Sequence, residues 1–203
     1  MKNHINPQVI SQTIIGTKST SRKKIFKDLN LNFKYRSANI DEKKVDDLNN
    51  KKTDALKIAK AKASYLSSKY KNKLIVTFDT AINFKKKTIY KCDNINSCLR
   101  LLNQFSNDIH YIYTGMVFMM NNRIISSQLK ETKIMFNKIN KTDLKNYLKK
   151  NYKTVTKAVG CYNIEGEGKF LFNEIYDSYF NIIGVDIIKF LTTIKSLWKN
   201  NLV

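Results

Sequence analysis

Two long runs rich in β-branched and aromatic residues, residues 108–120 and 123–136, are separated by only Asn121 and Asn122. Asparagine tolerates the left-handed backbone that a tight hairpin turn needs, so the pattern predicts a long antiparallel hairpin. On either side of it, helical and strand patterns alternate, which is typical of α/β proteins. A mixed α/β sheet is therefore predicted rather than a purely parallel one. Strands are predicted over residues 9–15, 33–37, 74–78, 82–84, 88–90, 108–120 and 123–136, and helices over residues 21–29, 53–70, 95–105, 142–150 and 185–198.

The size of the chain and its scarce sulfur and imidazole ligands exclude several classes of protein. A chain of 203 residues can bury a core as one domain or two closely packed lobes, and we expect a single domain over residues 1–203. No apolar run is long enough to span a membrane. The three cysteines form no Cys-x-x-Cys pair, which argues against a disulfide framework and for a reduced, cytoplasmic setting. With only two histidines, a multi-histidine metal site is excluded.

The formal net charge of +21 raises the question of nucleic-acid binding. The excess is almost all lysine, with 33 lysines and 4 arginines spread along the chain. Arginine is the residue that reads base edges with its bidentate fork, so its scarcity favours a solvated basic surface over a dedicated nucleic-acid face. Such a positive field would still attract a polyphosphate substrate.

Several short segments are candidates for a site, and each has a plainer structural alternative. The segment from Gly16 to Arg22 is either an anion cradle at a helix N-terminus or an ordinary cap with Ser19 or Ser21. Asp79 directly follows a buried strand pattern, where α/β sheets carry sites, but it is also a typical turn residue. The pair Asp41–Glu42 either lies in a loop or joins Asp79 in holding a divalent cation.

Short motifs in a fixed order are the most specific signal in the chain. Each motif is weak alone, but eight occur in order and at compatible spacing over residues 14–191. They are Gly-Thr-x-Ser-Thr-x-Arg at 16–22, Asp-Glu at 41–42, Ile-Ala-x-Ala-Lys-Ala at 58–63, Asp-Thr at 79–80, Lys-Cys at 91–92, His-x-x-x-Thr-Gly at 110–115, Glu-Thr-x-Ile-x-Phe at 131–136 and Val-Gly-x-Tyr-x-Ile-Glu-Gly-x-Gly at 159–168. In this set the chain resembles the Maf (septum formation) family of nucleoside triphosphate pyrophosphatases.

The resemblance implies both a fold and a reaction. The implied fold is an elongated, twisted mixed α/β sheet flanked by helices, with two lobes and a cleft, as in Maf and inosine-triphosphatase-like proteins; a homodimer is also implied. The implied reaction is hydrolysis of a nucleoside triphosphate, modified or not, to the monophosphate and pyrophosphate, with Mg²⁺ or Mn²⁺ as cofactor. No membrane and no specific nucleic acid are expected as partners.

The family motifs also imply a role for each matching residue. Asp79 would act as the base for water or hold the metal that activates it, Glu42 would help to hold the metal, Ser19, Arg22, Lys62 and Lys91 would bind the triphosphate, and Glu165 would face the base. Tyr162 would offer the base a stacking face.

The chain departs from the family pattern at a few positions. Ser21 stands where the family has a first arginine, and both motif prolines are replaced, by Thr20 and Cys92. A single arginine together with glutamate at position 165 resembles the branch that prefers 7-methyl-GTP over dTTP and UTP. A carboxylate only accepts hydrogen bonds, and guanine offers N–H donors on its Watson–Crick edge.

Two alternatives from other classes remain open at this point. One alternative to the enzyme is a non-catalytic basic protein that binds nucleic acid. The other is an inactive family member that regulates cell division. The carboxylates at Asp79 and Glu42 disfavour both, because a surface that only binds phosphate would do better without them.

Overall fold

The computed structural model describes residues 5–45, 54–156 and 158–200. Its strands are β1 (Thr13–Gly16), β2 (Lys34–Arg36), β3 (Leu74–Phe84), β4 (Lys87–Ile89), β5 (Ile109–Met120), β6 (Arg123–Phe136) and β7 (Phe172–Tyr176). Its helices are α1 (Pro7–Gln12), α2 (Thr20–Asp28), α3 (Glu42–Val45), α4 (Asp54–Lys69), α5 (Ile95–Phe105), α6 (Lys141–Val155), α7 (Tyr179–Ile183) and α8 (Ile187–Lys199), with 3₁₀ turns at Val159–Cys161 and Glu167–Leu171. Within these three ranges no helix is both long and apolar enough to cross a bilayer.

The strands form one mixed seven-stranded sheet. Its order is β2-β1-β3-β5-β6-β7, with β4 paired to β3. β1 is parallel to both β2 and β3, whereas β4 is antiparallel to β3 and β7 is antiparallel to β6. Asn121 and Asn122 alone join β5 to β6, and both have positive φ angles, 48° and 62°, as a two-residue hairpin requires. The predicted mixed α/β sheet with a central hairpin is confirmed.

The chain divides into two compact units. The first contains the described residues of Met1–Thr80, Thr114–Lys130 and Ile183–Val203, and the second contains those of Ala81–Tyr113 and Glu131–Ile182. Strands β3, β5 and β6 contribute residues to both units. The division into two units does not test the single domain expected over residues 1–203, which stays a prediction.

The first unit is built around an aromatic core. Phe190 of α8 lies at its centre, with ring centroids 4.9 Å from Phe26, 5.7 Å from Phe33 and 5.7 Å from Phe118. Phe78 of β3 completes the cluster, and all five rings are buried. Burial of an aromatic side chain stabilises the fold by about 1.5–3 kcal/mol, so this cluster fixes α2 and α8 against the strands.

The second unit has its own aromatic core around His110 of β5. The ring of His110 stacks on Phe105 at 4.5 Å, with an angle of 7° between the planes, and its Nε2 lies 2.8 Å from the hydroxyl of Tyr162. Phe84, Phe136 and Phe172 pack around these rings. Burial lowers the pKa of His110 to about 3, so the imidazole is neutral and its hydrogen bond to Tyr162 joins two uncharged groups.

The predicted end of the strand at residue 78 is wrong. β3 continues without a break from Leu74 to Phe84, so Asp79 lies inside the strand rather than after it. The strand exchanges partners instead of ending: its register with β1 stops at Gly16–Thr77, and its register with β4 begins at Ile82. Asp79 therefore lies just beyond the last residue of β1, where the parallel neighbour no longer covers β3.

The strand predicted over residues 9–15 is half helix. Residues Pro7–Gln12 form α1, and only Thr13–Gly16 are extended. Asn6 caps the helix by accepting a hydrogen bond from the N–H of Gln8, and Pro7 stands in the first turn, where a missing N–H costs nothing. The Asn-Pro pair was the signal for this start. For α4, the predicted start at Thr53 lies outside the described residues.

We predict that the stability of the protein falls as the pH drops below 6.5 because of His110. Its folded-state pKa is lowered below the unfolded value of about 6.5, so between these values the unfolded chain binds the extra proton. The contribution is complete above about pH 6.5 and is lost at about 1.4 kcal/mol per pH unit below it. His110→Gln, which retains a polar group facing Tyr162, should abolish this slope.

The measurement is the free energy of unfolding of both proteins by urea between pH 7.5 and 5. The difference between the two curves isolates His110 from the carboxylates. Parallel curves would show that His110 is not buried in its neutral form.

Candidate active site

The carboxyl end of β1 brings two distant segments side by side. The parallel register pairs Gly16 with Thr77, so the chain leaves β1 next to Asp79 and enters α2 through Thr17–Ser19. A Cβ on Gly16 would lie 2.6 Å from Cγ2 of Thr77, which explains why glycine is needed where the strands approach so closely. Parallel strands carry sites at this end, and the segment from Gly16 to Arg22 lies there beside Asp79.

One ammonium group joins two carboxylates at this edge. The Nζ of Lys62 on α4 lies 2.6 Å from Oδ1 of Asp79 and 2.7 Å from Oε1 of Glu42. The side chains of Lys62 and Asp79 are only 15% and 13% exposed, whereas that of Glu42 is 54% exposed. Two carboxylates and an ammonium from β3, α3 and α4 thus form the charged centre of the first unit.

The environment of Asp79 sets its acidity. Burial raises the pKa of Asp79 above its ordinary value, the charges of Lys62 and Arg22 oppose this, and Glu42 adds to it. Because burial is the largest of these effects, the carboxylate is a stronger base than an exposed aspartate. A base with a raised pKa next to fixed cations is a common feature of catalytic sites.

Arg22 is held under this centre by groups from two other parts of the chain. Its Nε donates to the carbonyl of Gly184 at 2.9 Å and its Nη2 donates to Oγ1 of Thr80 at 2.8 Å, while the guanidinium lies over the ring of Phe78. A Cβ on Gly184 would lie 2.5 Å from Nη2, and the φ of Gly184 is +96°. Glycine is therefore required at 184 for Arg22 to lie where it does.

Ser19 is the N-cap of α2. Its Oγ accepts a hydrogen bond from the N–H of Arg22 at 3.3 Å, so the capping alternative from the sequence describes its structural role. A hydroxyl that accepts one hydrogen bond still has a proton to donate, so capping is compatible with binding a phosphate oxygen.

Lys91 and Glu165 belong to the second unit. Lys91 is exposed in the segment between β4 and α5, and Glu165 is half-buried in the glycine-rich turn. That turn is tight: the N–H of Glu165 donates to Oδ1 of Asn163, and a Cβ on Gly168 would lie 2.3 Å from the carbonyl oxygen of Asn163.

Of the seven predicted site residues, Asp79, Glu42, Lys62, Arg22 and Ser19 lie together in the first unit.

The predicted stacking face of Tyr162 is not available. The ring is only 6% exposed and packs between Phe136, Phe172 and His110. The family motif is therefore structural at this position. Tyr179, by contrast, is 42% exposed, and burial and the charge of Glu165 raise its pKa.

Thr80 and Gly184 also contact Arg22, and neither was a predicted site residue, although Thr80 belongs to the Asp-Thr motif at 79–80. Thr80 holds Arg22 through Oγ1, which also lies 3.3 Å from Oγ1 of Thr114. The chain has only six glycines, so the glycine at position 184 was itself a sign that its backbone or its neighbours leave no room for a side chain.

The donor set at this edge fits a hard divalent cation. Oxygens of Asp79 and Glu42 both lie within 2.7 Å of one positively charged atom, Nζ of Lys62 on α4. One or two carboxylates completed by water and phosphate oxygens are the usual protein environment of Mg²⁺. The arrangement can therefore hold a cation, present a base and bind an anion with Arg22 and Lys62.

Fold and site together define an α/β protein with paired carboxylates and fixed cations at the carboxyl end of parallel strands. The sequence pattern of the family described as Maf-like protein matches residues 12–197, nearly the whole chain. The chain belongs to this family.

Its curated relatives are similar over nearly their full length. A nucleoside triphosphate pyrophosphatase of Pelagibacter ubique is 26% identical, over 92% of this chain and 98% of the relative. A dTTP/UTP pyrophosphatase of Clostridium tetani is also 26% identical, over 92% and 98%. A 7-methyl-GTP pyrophosphatase of Bartonella henselae is 25% identical, over 90% and 93%.

We predict that Lys62→Met raises the pKa of Asp79 further. The substitution removes the nearest opposing charge and keeps an unbranched apolar side chain one atom shorter, and an opposite charge at such a distance shifts a carboxyl pKa by about 1–3 units. The measurement is the pH titration of the ¹³C shift of the Asp79 carboxyl carbon. The matched control is Lys69→Met, near the exposed end of the same helix, which should leave the titration unchanged. An unchanged Asp79 pKa in Lys62→Met would mean that the two groups are not paired in solution.

Proposed function

We propose that the protein is a nucleoside triphosphate pyrophosphatase, which hydrolyses its substrate to a nucleoside monophosphate and pyrophosphate. The observation that carries this proposal is the meeting of Asp79 and Glu42 at the ammonium of Lys62, with Arg22 held beside Asp79. Membership of the Maf-like family and the names of the similar pyrophosphatases support the same reaction.

The reaction cleaves the bond between the α-phosphorus and its bridging oxygen to the β-phosphate. A water oxygen attacks the α-phosphorus, its proton passes to a base, and pyrophosphate leaves with the bridging oxygen. Asp79 is the base in this proposal, or a ligand of the ion that activates the water. Its burial favours either role, because a desolvated carboxylate accepts a proton, or binds a cation, more readily than a solvated one.

The triphosphate carries several negative charges, which fixed cations must neutralise. Lys62 and Arg22 of the first unit and Lys91 of the second are the proposed phosphate-binding cations, with Ser19 as a hydroxyl donor. Arg22 suits a positioning role because Thr80, Gly184 and Phe78 fix its guanidinium. Donors that are already oriented need little reorganisation as the transition state forms.

Asp79 and Glu42 are the residues that would hold Mg²⁺ or Mn²⁺. A divalent ion bound there neutralises charge on the phosphates and lowers the pKa of bound water. Their oxygens already surround one positive charge, the ammonium of Lys62, so a metal ion could bind them without a change of the backbone. We also propose a homodimer in the cytoplasm, in line with the family resemblance.

The preferred base is proposed to be 7-methylguanine, read by Glu165. Relatives named for 7-methyl-GTP and for dTTP/UTP match this chain at nearly the same identity, 25% and 26%, so the argument depends on the residue itself. A carboxylate matches the N–H donors of guanine, and the positive charge on a 7-methylated ring strengthens the interaction.

We predict that Asp79→Asn folds normally and loses at least about 10²-fold in turnover, which is what removal of a general base costs. The matched control is Asp28→Asn, an exposed aspartate at the end of α2, which should retain wild-type turnover. The assay is pyrophosphate release from a panel of canonical and modified nucleoside triphosphates with Mg²⁺ or Mn²⁺. Turnover of Asp79→Asn within about tenfold of wild type would remove Asp79 from the mechanism.

The same assay separates this proposal from the nucleic-acid-binding and regulatory alternatives. Those alternatives expect no pyrophosphate release from any nucleotide. A basic binding surface also predicts salt-sensitive binding of DNA or RNA that Asp79→Asn leaves unchanged.

We predict that Glu165→Gln shifts the substrate preference away from 7-methyl-GTP and towards UTP and dTTP. The amide replaces an acceptor by an N–H₂ group that faces a guanine donor, and such a mismatch costs about 1–3 kcal/mol, or roughly 5- to 150-fold in relative kcat/KM. The measurement is kcat/KM for 7-methyl-GTP, GTP, UTP and dTTP on both proteins. The matched control is Glu174→Gln on β7, an exposed glutamate, which should leave the ratios unchanged. If the ratios of Glu165→Gln equal those of wild type while activity survives, Glu165 is a structural residue of its turn.

A further inference from the structure

All three cysteines of the chain meet at one point in the second unit. Cys92 lies in the segment between β4 and α5, Cys98 lies in the first turns of α5, and Cys161 lies in the 3₁₀ turn before Glu165. Their Sγ atoms all lie within 4.8 Å of one another, and Sγ of Cys161 is 2.8 Å from Sγ of Cys98, which is 63 residues away in sequence. This group, called the thiol cluster below, is distinct from the oxygen-lined site at Asp79.

The backbone at Cys161 is held in an unfavourable conformation. Its φ is +58°, in the left-handed region that side chains with a Cβ rarely adopt, and it directly follows Gly160 at φ +83°. Such conformations persist where the surrounding structure determines them, and they are common at ligand-binding positions. Here the unusual turn is what directs the thiol of Cys161 to the other two.

Two thiols of the cluster are shielded from solvent and the third is partly accessible. Cys98 and Cys161 are fully buried, while Cys92 is only half-buried. Burial raises the pKa of the Cys98 and Cys161 thiols, so without a bound cation both remain protonated. A cation at the centre would stabilise the thiolates, and the half-buried side at Cys92 gives it a route in.

The spacing is compatible with a tetrahedral thiolate site. A Zn–S bond is about 2.3 Å long, which sets neighbouring sulfurs of a tetrahedron about 3.8 Å apart. All Sγ–Sγ distances in the cluster are at most 4.8 Å, which includes the tetrahedral value. The sulfurs of Cys98 and Cys161 would have to move apart by about 1 Å to reach it. Three protein ligands leave a fourth position for water, and thiolates select soft or borderline ions such as Zn²⁺ over Mg²⁺.

We propose that Cys92, Cys98 and Cys161 together bind one thiophilic metal ion, with Zn²⁺ as the natural occupant. Each cysteine gives up its thiol proton to solvent as its sulfur bonds to the metal. The ion would join the segment before α5, α5 itself and the turn at Cys161, which is 63 residues from Cys98 in sequence. Two of them carry predicted substrate-binding residues: Lys91 precedes Cys92, and Glu165 follows Cys161 by four positions. The site would therefore fix the segments of Lys91 and Glu165 relative to each other.

The test uses the full-length protein, reduced and freed of metal, and titrated with Co²⁺ as a spectroscopic substitute for Zn²⁺. We expect one equivalent of Co²⁺ to produce the near-ultraviolet thiolate-to-metal charge-transfer band, and one equivalent of Zn²⁺ to abolish it. Cys92→Ser and Cys98→Ser should each lose most of the band. Their dissociation constant for Zn²⁺ should rise by more than the roughly 10- to 100-fold that loss of a second-shell partner costs.

Cys92→Ser is the variant least at risk of misfolding, because Cys92 is the least buried of the three. The matched control is Asp79→Asn, which removes a ligand of the oxygen-lined site and should keep the full band. Failure of the pyrophosphatase proposal would leave this result unchanged, because the band does not depend on turnover.

Three outcomes would overturn the proposal. One is the absence of a charge-transfer band in the reduced wild-type protein. Another is a band and a Zn²⁺ affinity that survive in both cysteine variants. The third is a Cys98–Cys161 disulfide, detected by mass spectrometry, in a protein whose reduced form binds no Co²⁺; the pair would then be a redox site.

Discussion

The close approach of β1, β3 and α4 determines where the charges of the first unit lie. Gly16 has no side chain, so β1 and the threonine at 77 can meet at a distance that a Cβ would prevent. Thr77 is buried and donates its hydroxyl hydrogen to the carbonyl of Ala59 at 2.6 Å, which ties β3 to α4. Lys62 follows Ala59 by one helical turn, and Asp79 follows Thr77 on the same face of its strand. A contact between uncharged groups therefore holds together the two elements that carry the Lys62–Asp79 ion pair.

The charged centre is built from groups that would be unstable alone. Asp79 and Glu42 repel each other, and burial penalises the charge on Asp79. Lys62 offsets both effects from α4, and Arg22 adds a second positive charge that Thr80 and Gly184 hold in place. In the proposed function, a polyphosphate and a divalent cation would bring the same two kinds of charge to these side chains. A site of this design can exchange its internal partners for those of a substrate without a change of fold.

The second unit has a different chemistry. Its core is a cluster of rings around an imidazole that burial keeps neutral, and its thiols collect at one point beside the glycine-rich turn. His110 and Tyr162 stand in the motifs by which the family is recognised, yet both are buried and bonded to each other. These two positions serve packing, whereas Lys91 of the same unit is exposed and Glu165 is half-buried, which is compatible with their proposed contacts to substrate.

The sequence by itself determined the mixed α/β class, the β5–β6 hairpin and the order of the motifs, because side-chain periodicity and turn residues are local properties. The family motifs in the sequence also predicted a site of which Asp79, Glu42, Lys62, Arg22 and Ser19 are members, and the structure brings these five together. Only the tertiary structure decided that Asp79 lies inside β3, that Gly184 holds Arg22, that Tyr162 is buried and that Cys92 meets Cys98 and Cys161. From the sequence, Cys92 was noted only as the residue that replaces a proline of the family motif. Most of these facts depend on contacts between residues far apart in the chain, such as Arg22 with Gly184 and Cys98 with Cys161, and local patterns carry no information about such distances.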